Sequence, residues 1–465
     1  MRLFPALLLT AALPISLPLS ATPPPGAHPA APTSKDAPPF VQIPPNAQMS
    51  FLDNGTVRVG VDLAHGGALV FLSRAGGGNL INNFDLGRQV QLAFYSGPVP
   101  FLFQGQSPAK HWTHLGWNPI QTGDDFRNPS KVTHHENNGK RLQVRCIPMQ
   151  WPLNNVPGDC TFESHIELEG PVVKVRAVLH NARTDPTQYP ARLQELPAVY
   201  SNAAFPRVIS YTGPLPFTGA DVSEIPRSRT AHPWSLWRGT EGWSALLDAQ
   251  DQGLGLITPG RTFFTGGFAG KPGPNDPMGN STGYLAGQGE EILDHHIVYE
   301  FRYELLPGSL SEIRERARTH RPQALPAWTF ETTRSGWHYR NASDSGWPVQ
   351  GQLEVDLSQN DPQLLSPFTH WHAAEAPYLL LEAAFHTRQR TATLSWQPNP
   401  EDPDAKKGQL DFPVQADGEF HSYCLDLSAS PNYRGALERL RFDPVAAAEA
   451  GAWMKLRSIR FSKAP

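Results

Sequence analysis

The chain has 465 residues and a formal net charge of −4, and only 18% of its residues are charged. Lys and Arg do not cluster anywhere along it, so neither nucleic acid nor an anionic membrane is an expected partner. The 47 prolines, 39 glycines and 12 tryptophans favour strands, turns and loops over helices. The composition therefore predicts an all-β protein.

The first residues have the pattern of an export signal. Met1 and Arg2 precede an apolar run, residues 3–19, which ends at Ser20 and Ala21. This order predicts a secretory signal peptide over residues 1–21, and hence a secreted or periplasmic protein. The alternative is a retained membrane anchor, but prolines interrupt the run and it is shorter than the ~20 apolar residues of a spanning helix. No later segment is apolar enough to span a bilayer, and the prolines of residues 22–46 predict an extended linker.

Short runs of alternating apolar and polar residues fill the segment from 47 to 322, for example 56–62, 172–178 and 296–303. A period of two predicts strands with one buried face. The longest loops are expected near residues 98–130 and 262–289. One helix is predicted at residues 310–318, because Ser309 and Glu312 form a capping-box pattern just before it.

A second series of strands is predicted from residue 328 to 465, after a proline-containing linker. Its length, about 135 residues, suits a smaller antiparallel β-sandwich or jelly roll. The chain is longer than one core usually organises, so we expect two domains, 47–322 and 323–465. Trp337, Trp347 and Trp371 are either sugar-stacking residues or ordinary core aromatics.

Two cysteines flank a turn-rich segment. Cys146 and Cys160 could form a disulfide in an exported protein, or they could be buried free thiols. The sequence leaves both possibilities open.

Three polar segments could carry chemistry, and the first follows the turn at Gly66 and Gly67. There Asn79, Asp85 and Arg88 come just before a predicted strand. A guanidinium with amides supplies fixed donors for sugar hydroxyls. The alternative is a structural ion pair between Asp85 and Arg88.

The second segment is a loop that mixes aromatic, amide, imidazole and carboxylate groups. Aromatic rings stack on the C–H faces of sugars while polar neighbours bind the hydroxyls, so this mixture favours a carbohydrate ligand. Two histidines without a further metal-binding pattern do not define a zinc site, and we expect no metal or cofactor. Its candidate residues are His111, His114, Trp117, Asn118, Gln121, Asp124 and Asp125.

The third segment places Glu195 in an otherwise apolar strand, beside Arg192 and Gln194. A carboxylate in such surroundings is a candidate acid or base with a shifted pKa. The alternative is that Glu195 forms an ion pair with Arg192 at a strand edge.

These segments, in this order, resemble the galactose mutarotase-like β-supersandwich superfamily over residues 47–322. The resemblance rests on Gly66-Gly67 and on residues 79–82, 85–91, 194–197, 241–246 and 253–256. The superfamily includes aldose epimerases, glycoside hydrolase and polysaccharide lyase domains, and non-catalytic sugar-binding domains. The resemblance implies that Glu195 is a base, that Arg88 holds the sugar and that His111 or His114 supplies an acid. Residues 323–465 are similar to carbohydrate-associated β-sandwich modules.

The leading functional hypothesis is a secreted carbohydrate-active enzyme that cleaves a glycosidic linkage. A hydrolase would pair Glu195 with Asp124 or Asp125, whereas a lyase would use a base together with Arg88 or Arg192 to neutralise a uronate. A non-catalytic glycan-binding protein and a mutarotase-like enzyme are the alternatives. We also expect distant residues to converge on one pocket, namely Arg88, Trp117, Asn118, Gln121, Asp124 and Glu195.

Overall fold

The computed structural model describes residues 43–44, 46–228 and 233–465. The predicted signal peptide lies outside these residues, as does the predicted linker apart from residues 43, 44 and 46. None of the helices in the described part of the chain is long and apolar enough to cross a membrane.

Nineteen strands make up the first two sheets. They are β1 Met49–Asp53, β2 Val57–Asp62, β3 Ala68–Arg74, β4 Val90–Ala93, β5 Pro119–Ile120, β6 Lys131–Asn137, β7 Arg141–Ile147, β8 Met149–Gln150, β9 Cys160–Glu169, β10 Val172–Asn181, β11 Arg192–Ser201, β12 Arg207–Ser210, β13 Ser223–Glu224, β14 Ser235–Arg238, β15 Trp243–Leu247, β16 Gln252–Ile257, β17 Phe263–Ala269, β18 Thr282–Glu291 and β19 Val298–Ser309.

Both of these sheets are antiparallel. The ten-stranded sheet has the order β1-β2-β3-β4-β11-β18-β17-β14, with β5 and β8 attached beside β4. The nine-stranded sheet has the order β13-β12-β15-β16-β19-β10-β9-β7-β6. Apolar side chains from the inner faces of both sheets form the first core, among them Phe94, Phe162 and Leu285. Alternation along each strand leaves the other face of the ten-stranded sheet free to carry a site.

One α-helix, α1 Leu310–Arg318, follows β19 as predicted. The Ser309 hydroxyl accepts from the backbone N–H of Glu312, and the Glu312 carboxylate accepts from the backbone N–H of Ser309. Both bonds of the capping box are therefore formed. The helix buries Ile313 and Ala317 against the nine-stranded sheet.

The remaining strands form two six-stranded antiparallel sheets, β22-β23-β31-β26-β29 with β20 on β31, and β21-β24-β30-β27-β28 with β25 on β30. These strands are β20 Ala327–Thr329, β21 His338–Arg340, β22 Ser343–Asp344, β23 Leu353–Asp356, β24 Gln363–Leu365, β25 Trp371–His372, β26 Tyr378–His386, β27 Thr391–Pro398, β28 Gly408–Pro413, β29 Phe420–Asp426, β30 Ala436–Asp443 and β31 Trp453–Ser462. Short 3₁₀ helices lie at Lys110–Leu115, Ala373–Glu375 and Leu427–Ala429.

The all-β prediction is confirmed, since each pair of sheets encloses a core of its own. The division into domains at residues 322 and 323 stays a prediction. Two candidate stacking residues, Trp337 and Trp371, belong to the second core and are at most 3% exposed, whereas Trp347 is half-buried. Cys146 and Cys160 are buried free thiols, which decides between the two possibilities that the sequence left open.

One predicted loop contains two strands of the ten-stranded sheet. We expected a long loop at residues 262–289, but β17 and β18 occupy most of it. The glycines that suggested a loop are sites of close approach: a Cβ on Gly266 would lie 2.3 Å from the carbonyl oxygen of Tyr284. Glycine is used here because neighbouring atoms leave no room for a side chain.

Candidate active site

Strand β11 carries Glu195 near the middle of the ten-stranded sheet, between β4 and β18. The register shifts between Glu195 and Ala198, which marks a bulge. Leu196 and Val199 both enter the first core, so the bulge reverses the usual alternation. Glu195, Ala198 and Tyr200 consequently lie on the opposite face of the sheet.

Aromatic side chains surround the Glu195 carboxylate on that face. The Tyr284 hydroxyl donates to Glu195 Oε1 at 2.5 Å, and the Tyr95 hydroxyl is a second hydrogen-bond partner. The ring of Tyr284 lies 4.7 Å from that of Tyr200 and 4.9 Å from that of Trp234, between centroids. We call Tyr95, Glu195, Tyr200, Trp234 and Tyr284 the tyrosine face. Its aromatic members are buried, whereas Glu195 is partly exposed.

Burial and hydrogen bonding act in opposite directions on this carboxyl. Burial raises the pKa of Glu195, and the hydrogen bonds from Tyr284 and Tyr95 partly oppose that rise. Burial also raises the pKa of the phenols of Tyr95, Tyr200 and Tyr284 well above the usual value. The phenols are therefore protonated donors at neutral pH, while Glu195 exchanges a proton closer to neutrality than an ordinary carboxyl does. This is the behaviour required of a general acid or base.

A buried amide faces the same site. Gln288 lies directly opposite Glu195 across β11 and β18. Its Nε2 atom is buried and has no hydrogen-bond partner within the described residues. Since buried polar groups are normally bonded, this atom is a donor available to a ligand next to the carboxylate.

Arg88 lies at one end of the tyrosine face, near enough to affect the pKa of Tyr200. Its guanidinium donates to the backbone oxygen and the side-chain oxygen of Asn280, and its Nε is 3.3 Å from Asp85 Oδ2. The structural ion pair considered from the sequence is thus present. Burial raises the pKa of Asp85, a second carboxyl close to Tyr200.

Arg192 and Gln194 shape the site through the backbone. Arg192 donates to the carbonyl oxygens of His114 and Leu115, each at 2.8 Å, and thereby holds the 3₁₀ helix Lys110–Leu115 beside the sheet. Gln194 accepts from the N–H of Tyr95 and donates to its carbonyl, both at 2.8 Å. Glu195 therefore does not pair with Arg192, and both neighbours position other parts of the site.

Three predicted ligand-binding residues lie inside the protein. Trp117, Asn118 and Gln121 are at most 3% exposed. Trp117 Nε1 donates to Asp159, Asn118 Nδ2 donates to the carbonyl of Phe94, and Gln121 Oε1 accepts from the N–H of Leu92. Their polar atoms satisfy buried backbone and loop groups, so the structure does not bring them to Glu195. The expected convergence of all six residues on one pocket stays a prediction.

The acidic residues of that loop are also engaged. Asp124 is buried, and its two oxygens accept from the backbone N–H groups of residues 126, 128 and 155 and from the Asn128 amide. Asp125 is exposed and accepts from Trp112 Nε1. The structure offers no support for pairing Glu195 with Asp124, because Asp124 is already saturated with hydrogen bonds.

Neither histidine of the loop lies on the tyrosine face. His111 is exposed and its ring is 4.7 Å from that of Trp112. His114 contributes its backbone oxygen to Arg192. The donors beside Glu195 are phenols, which the sequence analysis did not select. The period-two pattern offers no signal for them, because core-facing and outward-facing tyrosines look alike when a bulge changes the alternation.

The fold and the site define an all-β protein with a carboxylate among phenols on one sheet face. No protein-family model matches the chain, and no curated protein matches it. Among solved structures, a galactose mutarotase-like protein from Lactobacillus casei matches with 12% identity and a TM-score of 0.35, over 56% of this chain and 99% of that one.

Two further structures show the range of the matches. A galactose mutarotase related enzyme from Lactobacillus acidophilus has 8% identity and a TM-score of 0.36, over 56% of this chain and 97% of that one. A 4-alpha-glucanotransferase from Thermococcus litoralis has 11% identity and a TM-score of 0.30, over 57% of this chain and 38% of that one. The resemblance to galactose mutarotase-like proteins predicted from the sequence is thus also found among structures. The identities are too low to assign a reaction to this chain.

Proposed function

We propose that this protein is a carbohydrate-active enzyme that cleaves a glycosidic linkage, with Glu195 as the group that transfers a proton. The observation that carries the proposal is a partly exposed carboxylate bonded to two phenols on a sheet face lined by Tyr200 and Trp234. Hydroxyl donors and a carboxyl of raised pKa are parts that such chemistry needs.

The phenols and the amide have roles that follow from their positions. Tyr284 and Tyr95 hold the carboxylate in one orientation, so its reactive lone pair is aligned when a sugar arrives. Gln288 Nε2, which has no partner among the described residues, donates to a hydroxyl of the bound ring.

Glu195→Gln is the variant that tests this function, because it keeps the shape of the side chain and removes its proton transfer. The full chain and the variant are incubated with a panel of oligosaccharides, and binding is measured beside product formation. We expect turnover in the full chain and its loss by a factor of about 10² or more in the variant, with binding largely retained. New reducing ends identify hydrolysis, and unsaturated ends identify elimination.

Glu136→Gln is the matched control, since Glu136 is exposed on an edge strand of the other large sheet. It should turn over every substrate as the unchanged chain does. Equal turnover by the Glu195 and Glu136 variants would contradict the proposal.

A non-catalytic glycan-binding protein is the second candidate. The observation that favours it is that Asp124 cannot act as the second carboxylate beside Glu195, because its oxygens accept hydrogen bonds from Asn128 and Asn155. In that case the Glu195→Gln variant and the unchanged chain both bind sugar and neither releases a product. We also propose that the protein is secreted or periplasmic, and the predicted signal peptide is the basis of this proposal.

A further inference from the structure

A cavity of about 490 Å³ lies where the ten-stranded sheet meets the sheet that contains β27 and β30. We call it the junction cavity. Leu193, Arg238 and Glu290 line it from the first sheet, whereas Arg340, Phe368 and Arg439 line it from the second part of the chain. It is thus built by residues that are far apart in sequence.

Positive charge dominates its walls. Four arginines and one lysine line the cavity together with a single carboxylate, that of Glu290; the cations are Arg238, Arg340, Lys407, Arg439 and Arg441. Two more carboxylates, Glu438 and Asp443, pair with Arg238 and Arg441. Cations still outnumber carboxylates, and an oxyanion is the ligand that this arrangement would stabilise.

Most of the guanidiniums have fixed roles within the wall. Arg439 donates to Glu290 at 2.6 Å and to His338 Nε2 at 2.8 Å. Two of the cations also stack on an aromatic ring. The guanidinium carbons of Arg238 and Arg439 lie 3.7 and 4.4 Å from the centroid of the Phe368 ring. These contacts preorganise two cations around an aromatic ring.

Arg340 differs from the other arginines. Its side chain is half-buried in the wall, and its guanidinium makes no hydrogen bond or ion pair within the described residues. A guanidinium has five N–H donors in a planar fork that suits a carboxylate or sulfate.

The junction cavity adjoins the tyrosine face on the same side of the ten-stranded sheet. Leu193 precedes Glu195 by two residues on β11, and the opposite pair on β18 is Glu290 and Gln288. Two residues of a strand span about 7 Å. A saccharide bound at Glu195 can therefore place a neighbouring group in the cavity.

We propose that the junction cavity binds the anionic group of an acidic saccharide, a carboxylate or a sulfate ester, while an adjacent ring lies against Glu195. This inference rests on the proposed function, because it names the substrate class of the same site. Arg340 receives the anion with its unpaired donors.

Calorimetric titration of the full chain at constant ionic strength tests the inference, with sodium glucuronate, sodium sulfate and glucose as probes. We expect glucuronate to bind more tightly than neutral glucose, and Arg340→Gln to weaken glucuronate binding about tenfold, the effect of losing a charge-assisted contact. Tighter binding of sulfate than of glucuronate would assign the site to a sulfate ester, and the reverse order to a carboxylate.

Two further variants make the result specific. Arg388 is almost fully exposed, at 95%, so Arg388→Gln removes one positive charge elsewhere and should leave binding unchanged. Lys407→Gln removes a second cation of the wall and should weaken glucuronate binding as Arg340→Gln does. Equal glucuronate affinity in the unchanged chain and the Arg340→Gln variant overturns the inference, and so does glucuronate binding no tighter than glucose.

The Glu195→Gln variant separates this inference from the proposed function. If glucuronate binding depends on Arg340 but no sugar is turned over, the proposed function is contradicted and the anion site is supported. If turnover depends on Glu195 but anion binding does not depend on Arg340, only the anion site is contradicted.

Discussion

The charge of Glu195 depends on two opposing contributions from its surroundings. Burial on the tyrosine face disfavours the carboxylate, and two phenolic donors favour it. Burial dominates, so the pKa of Glu195 is raised in the folded protein. A carboxyl with a raised pKa binds its proton more tightly in the folded state than in the unfolded state.

This difference makes folding pH-dependent in a defined direction. As pH rises from the usual carboxyl pKa through the raised pKa of Glu195, the unfolded chain loses its proton first and stability falls. Glu195→Gln abolishes this contribution. We expect the free energy of unfolding of the variant, relative to the unchanged chain, to increase as pH rises through that window.

Urea unfolding at a series of pH values from about 4 to 8 measures this difference. A difference between variant and unchanged chain that stays constant across the series would show that the Glu195 carboxyl titrates alike in both states. The pKa shift, and the acid–base role that depends on it, would then be refuted.

Sequence alone could select Glu195 as a candidate, because a carboxylate in an otherwise apolar strand is unusual. It could not identify Tyr200, since the bulge after Glu195 changes which side chains of β11 face outward. For Trp117 and Asn118, the sequence pattern has a different explanation. Polar and aromatic residues in a loop signal either a ligand or a buried backbone group that needs a partner, and here they serve the backbone.

At the scale of elements, the turn between β2 and β3 fixes the loop that contains Gln121. Gly66 has a φ of +62°, and a Cβ at this position would lie 1.8 Å from the backbone oxygen of Gln121. Both the left-handed conformation and the lack of space require glycine. The predicted turn at Gly66 and Gly67 is therefore confirmed, together with the reason for its composition.

Gly66→Ala should destabilise the protein by about 2–5 kcal/mol, from left-handed strain of about 1–2 kcal/mol and overpacking of about 1–3 kcal/mol. Gly55→Ala is the matched control, because Gly55 also has a positive φ, of +80°, but a Cβ added there would have no atom within 4 Å. It should cost only about 1–2 kcal/mol. Denaturant unfolding compares them, and equal losses would contradict the crowding at Gly66.

At the scale of the whole molecule, buried ion pairs join the first part of the chain to the second. Arg334 donates to Asp294 and to Asp344, each at 2.6 Å, and all three side chains are at most 6% exposed. Arg439 likewise forms an ion pair with Glu290, at 2.6 Å. Pattern reading could place the strands and the helix, but it could not reveal these contacts, which depend on how the sheets meet.

Asp294→Asn should destabilise the full chain by about 3 kcal/mol, near the lower limit for breaking a buried pair, because Asp344 still neutralises Arg334. Glu382→Gln is the control: Glu382 pairs with Arg457, and both side chains are at least 40% exposed. Its loss should be under about 1 kcal/mol. Thermal unfolding distinguishes them, and similar losses would show that the Asp294 contact contributes little.

The location of a bound saccharide tests the central claim most directly. Crystals of the Glu195→Gln variant are soaked with an oligosaccharide that the full chain turns over. The variant should bind this sugar without cleaving it, so the crystal structure shows where it lies. We predict a sugar ring beside the tyrosine face, with a hydroxyl or the linkage oxygen within hydrogen-bond distance of the side chain at position 195. A sugar bound only to the outer face of the nine-stranded sheet, where Arg141, Arg176 and Arg302 line a second groove, would contradict the assignment of the tyrosine face as the active site.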